Sequence, residues 1–264
     1  MPIVSSTQPH HREVEPPHAL RSAIKCFWYD RYDAGPLRQP FEVLPDGYAE
    51  LVFHFGDARI GPIHVVPSPF LMGLLHQPVM LDVRGRLDIV GIRCYPWAVF
   101  DLLGLPARQA SVHTVGHPIA ALHPTLRACI EADDIDEALA HLERWFMRTH
   151  TPVDGMLARA GAAMRDAHGT LTVSDVAAAA HATVRTLERR FRQASGHTVK
   201  DVSNLMRFEQ VRNALFHRPH DSIAGLAHAL GYVDQSHLTR EFRRYSGTTP
   251  AAFARRHIGG FVQA

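Results

Sequence analysis

Only three cysteines stand among the 264 residues, at Cys26, Cys94 and Cys129. They are odd in number and never in CxxC spacing, so neither a disulfide framework nor a zinc site is signalled. No apolar run approaches the length of a membrane span. The first 18 residues are polar, with proline and histidine but no apolar h-region, so no secretory signal is expected and the compartment is read as the cytoplasm. GxSxG, P-loop and dinucleotide-binding signatures are all missing. Nothing sets a nucleophile or a second acid beside Asp46 and Glu50. Catalytic residues and cofactors are therefore not expected. Histidine is plentiful, with 11 of 19 before residue 155. Yet His54, His64 and His76, on expected strands, do not stand in HxH or HxxxH spacing, and no metal is assigned to them. Trp28, Trp97 and Tyr48 read as core aromatics rather than as the lining of a ligand pocket.

What is present is length for two domains and a divided charge. The net charge of +2 hides an asymmetry. Residues 1–154 hold 13 Lys+Arg against 18 Asp+Glu, giving −5, whereas residues 155–264 hold 15 against 8, giving +7. The basic half is the one suited to a phosphate backbone.

That half is also written twice. Phe191-Arg192-Gln193-Ala194-Ser195-Gly196-His197-Thr198 recurs as Phe242-Arg243-Arg244-Tyr245-Ser246-Gly247-Thr248-Thr249, at an offset of 51. Thr172 with Asp175 opens a short helix over Val173–Ala180, His181-Ala182 turns, and Thr183 caps a second helix over 184–194 that Gly196 stops. The second copy runs from Asp221 or Ser222 through Ile223–Leu230, a Gly231-Tyr232-Val233 turn, and a helix over 235–245 between Asp234 and Gly247. Between them, Thr198 with Asp201 starts a linker helix reaching about Phe216, with Val202, Leu205, Phe208, Val211, Ala214 and Leu215 along one stripe. Thr249-Pro250 begins a closing helix. Short capped helices in pairs, lined with arginine, read as two helix-turn-helix units.

The run from Leu171 to Thr198, followed by Asp221 to Phe253, resembles the DNA-binding domain of AraC/XylS-type transcription regulators. Its most specific part is Ala229-Leu230-Gly231-Tyr232, then Asp234-Gln235-Ser236-His237-Leu238, Arg240-Glu241-Phe242, Gly247 and Thr249-Pro250. It departs at the first turn, where His181-Ala182-Thr183 replaces the usual Gly, aliphatic and Ser. Histidine tolerates unusual turn angles and threonine caps as serine does. Residues 44–57 and 90–107 are similar to a sensor-like domain of little-known function that precedes such DNA-binding domains. The resemblance implies double-stranded operator or promoter DNA as partner, and a small-molecule effector, a homodimer, or both. RNA polymerase is a further partner if the protein activates.

The expected architecture is α+β. A tail over 1–18 precedes a sensor or dimerisation domain over 19–150, built as an antiparallel β barrel or sandwich with trailing helices. Strands are expected over Ile24–Tyr29, Tyr48–Phe55, Ile63–Val66, Phe70–Leu75, Val79–Val83 and Leu87–Tyr95. Helices follow over Trp97–Leu103, Ile119–Ala132 and Asp136–Arg148. The all-α DNA-binding domain spans 151–258, its first helix starting at Thr151-Pro152, and a short tail covers 259–264.

In a helix-turn-helix unit the first two turns of the second helix reach base edges. That places Val184, Arg185, Glu188 and Arg189 in the first unit, and Gln235, Ser236, His237 and Arg240 in the second. Arginine grips guanine O6 and N7, and glutamate accepts from cytosine N4. Thr183, at a helix N-terminus, offers backbone N–H groups to phosphate. Arg190 and Arg244 complete the expected DNA-binding set, on faces turned to phosphate or solvent. Two other classes remain compatible with the sequence: an N-terminal domain with enzymatic or metal-dependent activity, as a reactive cysteine would give, and a helix-turn-helix scaffold that no longer meets DNA.

Overall fold

The computed structural model describes residues 11–60, 64–107 and 112–257. Residues 1–10 of the tail expected over 1–18, and the tail expected over 259–264, lie outside the described residues, as does Ile63 of the strand expected over 63–66.

Eight strands between Arg12 and Thr114 build one antiparallel sheet. Its strands are β1 (Arg12–Val14), β2 (Ile24–Asp33), β3 (Gln39–Val43), β4 (Ala49–Ile60), β5 (His64–Val65), β6 (Phe70–Met72), β7 (Val79–Cys94) and β8 (Val112–Thr114). They are ordered β1-β2-β7-β4-β6-β8, with β3 beside β7 and β5 beside β4. Alternation explains the two faces. Phe27, Leu51, Phe53, Val90 and Ile92 point into the core shared with the helices. Cys26, Trp28, Val52, Phe70, Met72, Val83 and Ile89 form a second buried cluster to which no helix contributes. The sheet therefore curls over its own second face, in the barrel or sandwich manner expected.

Several strand expectations need correction, among them that over Phe70–Leu75, which ends at Met72. Strand β1 pairs with β2, Glu13 opposite Trp28, inside the segment read as a loose tail. The two strands read at 79–83 and 87–95 are one long strand, because Gly85 adopts φ +68 and bends the chain without ending its pairing to β4. Strand β3 was not foreseen, since Pro40 in so short a run argues against a strand except at an edge, which is where it lies. Strand β8 is too short to show periodicity.

The helices are α1 (Val99–Leu102), α2 (His123–Glu131), α3 (Ile135–Thr149), α4 (Gly155–Asp166), α5 (Val173–Ala179), α6 (Val184–Ser195), α7 (Val199–His217), α8 (Ile223–Ala229), α9 (Gln235–Ser246) and α10 (Pro250–His257). The expected helix at 119–132 is a 3-10 turn over Pro118–Leu122 leading into α2. Helix α4 starts later than read, because Asp154 caps it by accepting from the N–H groups of Met156 (2.9 Å) and Leu157 (3.3 Å).

The sheet and the repeat share a core. The fully buried Trp97 ring stacks on Tyr95 at 4.9 Å and meets Phe191 of α6 at 6.0 Å. It lies against Gly161 of α4, where a Cβ would fall 2.2 Å from the ring. The Arg165 guanidinium sits 4.2 Å from the Tyr95 ring centroid. Along the same seam His76 Nε2 is 3.3 Å from His197 Nδ1, and Arg212 of α7 donates to the Pro45 carbonyl at 3.2 Å. Loop 44–48 thus rests on the middle of α7, with Glu209 half-buried beneath Gly47.

Candidate nucleic-acid interface

Each unit is set by its caps. Thr172 accepts from the Asp175 N–H, and Thr183 from the Thr186 N–H, both at 3.2 Å. In the intervening turn His181 takes φ +54, the left-handed angle at which the family's glycine would be expected. Gly196 then ends α6 at φ +78. In the second unit Ser222 starts α8 and Asp234 starts α9, and Gly247 at φ +70 stops it. A full capping box between Thr198 and Asp201 fixes the beginning of α7.

With those ends pinned, helical periodicity sorts the faces. Leu187, Phe191 and Ala194 of α6 are buried, and so are Leu238, Phe242 and Tyr245 of α9. Opposite them, Arg185, Arg189 and Arg192 are exposed at spacings of four and three, joined by Gln193. Arg240, Arg243 and Arg244 are exposed on α9, with Gln235 and Ser236 at its start. Among the described residues Arg185, Arg189 and Arg240 have no ion pair or hydrogen bond. Arg185, Glu188, Arg189, Arg192 and Gln193 line a shallow open groove. Exposed, unpaired guanidinium groups along one face can meet a chain of phosphates or the edge of guanine.

Three residues of the expected set also meet groups within the protein. Glu188 is half-buried, held near the Val199 N–H at the start of α7, and burial raises its carboxyl above the ordinary range. His237 leans inward, its Nε2 4.0 Å from Glu241 and its ring edge-on to Tyr232 at 5.4 Å. Arg190 donates to Asp154 at 2.6 Å. Arg244 is exposed, beside the Tyr245 ring at 5.4 Å. Thr183 spends its hydroxyl on the cap and presents the helix N-terminus. Arg192 and Arg243, expected on faces turned to phosphate or solvent, fall on the arginine faces, and Gln193, outside the expected set, joins them. Continuing the spacing of four from Arg185 and Arg189 one more turn finds Gln193.

The other candidates resolve simply. Cys26 is buried and burial pushes its thiol up to about 12, while the Cys94 and Cys129 thiols are also raised by burial. Such thiols hold little of the nucleophilic thiolate. His54 is buried and hydrogen-bonded to the Val66 carbonyl at 2.9 Å, and His76 is engaged with His197. The side chain of His64 lies outside the described residues. Among the described residues no group of three or more His, Cys, Asp or Glu is placed to hold a metal ion. Trp28 and Trp97 are core, as read, and Tyr48 packs against Tyr95 at 5.9 Å. Among the described residues no helix is long and apolar enough to cross a membrane.

Two capped helix pairs, each presenting an arginine-lined second helix and joined by one long helix, define a double helix-turn-helix module. A helix-turn-helix domain family matches residues 176–256, and a domain of unknown function, DUF6597, matches residues 12–115. The C-terminal part of the chain is an AraC-type helix-turn-helix domain. It is 35% identical over 75 residues to the HTH-type transcriptional regulator RipA of Corynebacterium glutamicum, a match covering 28% of this chain and 22% of that protein. Across nearly its whole length the chain is similar in fold to ToxT of Vibrio cholerae, at 10% identity and a TM-score of 0.50, covering 87% of this chain and 98% of ToxT. A structure of ToxT with a bound unsaturated fatty acid matches at 12% identity and the same TM-score, covering 90% and 98%.

Proposed function

We propose that this protein is a sequence-specific, DNA-binding transcription regulator whose α6 and α9 read successive major grooves on one face of the duplex, roughly 34 Å apart. The observation that carries the reading is the repeated exposed face: Arg185, Arg189 and Arg192 on α6, and Arg240, Arg243 and Arg244 on α9. Arg189 and Arg240 occupy the same place in the two units and serve base edges or adjacent phosphates. Gln235 and Ser236 supply hydrogen bonds at the start of α9. Thr183 offers the α6 N-terminus to a phosphate. Glu188, His237 and Arg190 are assigned to holding the module together, not to reading DNA.

The N-terminal sheet domain is the sensor or dimerisation part, and the chain acts by binding rather than by catalysis, in the cytoplasm. ToxT, with its bound fatty acid, supports a small-molecule effector for a chain of this fold. An effector acts here only through unequal affinity for two arrangements of the sheet domain and the module. A homodimer would bring four such helices to paired half-sites, and contact with RNA polymerase would follow if the protein activates.

The test is a titration of a duplex, selected in vitro by the wild-type protein, at several salt concentrations. Arg189→Ala and Arg240→Ala should each weaken binding by about 1–3 kcal/mol, or lower the salt slope by about one charge, with the fold unchanged. Wild-type affinity and slope in both variants would overturn the assignment.

A further inference from the structure

The duplication extends to a residue on each recognition helix that does not face DNA. At the offset of 51 that relates the units, Arg190 of α6 corresponds to Glu241 of α9. Both side chains reach back to the helix that precedes their unit. Arg190 Nη2 donates to Asp154 Oδ2 at 2.6 Å. Asp154 is the residue whose other oxygen caps α4. Glu241 Oε2 lies 3.5 Å from Arg207 Nη2 on α7, and its Oε1 accepts from the Tyr232 hydroxyl at 2.8 Å. The Arg207 guanidinium stands 4.7 Å from the Tyr232 ring centroid, and His237 closes the group 4.0 Å from Glu241. The sign of the pair is reversed between the units, base on α6 but acid on α9, while its place is kept.

We propose that Arg190 and Glu241 are equivalent positioning residues, each fixing the rotation of its recognition helix against the helix before it. The buried stripe of a helix leaves rotation loosely held, because apolar contacts are not directional. A polar tie one position before the central phenylalanine (Phe191 or Phe242) stops that rotation and so aims Arg189 or Arg240. The two ties differ in strength. Arg190 and Asp154 are 45% and 32% exposed, so water and salt screen them. Arg207 and Glu241 are 14% and 10% exposed and are braced by Tyr232, the residue of the turn itself. Helix α9 is therefore held firmly and α6 adjustably. This inference rests on the DNA-reading function proposed above.

The test measures protection of each major groove separately, by footprinting on a duplex selected in vitro with the wild-type protein. Glu241→Ala should reduce protection of the α9 groove by about tenfold or more and leave the α6 groove nearly unchanged. Arg190→Ala should do the reverse, by about two- to fivefold, with the difference shrinking as salt rises. Glu241→Gln, which keeps an acceptor for the Tyr232 hydroxyl, should restore most of the α9 protection and stands in if the alanine variant does not fold. Equal loss in both grooves, tracking a lowered melting temperature, would reduce both residues to general stability and overturn the proposal. Unchanged footprints would overturn it too. A wild-type protein that selects and protects no site would instead overturn the functional reading beneath it.

Discussion

Replacing Trp97 by alanine tests whether the sheet domain and the repeat are one packed body. The ring is fully buried and touches both halves: Tyr95 on the sheet side, Phe191 of α6 and Gly161 of α4 on the other. Removing a buried tryptophan ring costs about 3–5 kcal/mol, the sum of lost transfer energy and of the cavity left behind. Set against a typical total of about 5–15 kcal/mol, that is a large share. The cavity would open between domains, so the single unfolding transition should also divide, the sheet and the helices melting apart. Urea denaturation followed by far-UV circular dichroism and by the remaining tryptophan fluorescence reads both effects. A second variant makes the reasoning stricter. Gly161→Ala would place a methyl 2.2 Å from the ring and should destabilise strongly by itself. In the Trp97→Ala background the same methyl enters vacated space, so the double variant should be less destabilised than the sum. A loss below about 1 kcal/mol for Trp97→Ala, or simple additivity of the pair, would refute the account.

Other predictions follow from particular contacts. Gly169 has φ +74, and a Cβ there would fall 2.2 Å from the Ser203 carbonyl oxygen, so Gly169→Ala should displace α4 from α7 and lower the melting temperature by several degrees. Thr198→Ala removes the capping box of α7 and should cost about 0.5–2 kcal/mol in chemical denaturation, whereas Thr198→Ser should cost little. Burial, with Asp46 adding to it, pushes the Glu209 carboxyl from its ordinary 4.5 up to about 7, against the pull of Arg212 and Arg93. A raised carboxyl binds a proton on folding, so its contribution is complete below about pH 4.5 and is lost as pH rises to about 7. Glu209→Gln should therefore gain stability relative to wild type across that window and hold a constant gain above it. A difference independent of pH between 5 and 8 would show that Glu209 is not a buried acid.

Local signals were the legible ones. Thr172, Thr183, Thr198, Ser222 and Asp234 bond to backbone a few residues away, and Gly196 and Gly247 need only their own angle, so the frame of the repeat could be read along the chain. The exposed arginine faces followed from the same frame. What escaped the sequence depends on partners far along it. Arg190, expected in the DNA-binding set, pairs with Asp154, 36 residues earlier. Glu188 and His237 occupy groove-facing positions by count, yet each also meets a group of the protein itself, Val199 and Glu241. The seam between sheet and helices joins His76 to His197 across 121 residues, and no periodicity reports such a meeting. Within the sheet, the bend at Gly85 looked like a strand end because glycine serves both purposes.

The most direct test of the central claim is to incubate the purified protein with fragmented genomic DNA at near-physiological salt, recover what binds, and footprint it. The account predicts a discrete site with two protected major grooves one turn apart on one face of the duplex. Diffuse binding that disappears as salt is raised, with no protected site, would contradict it.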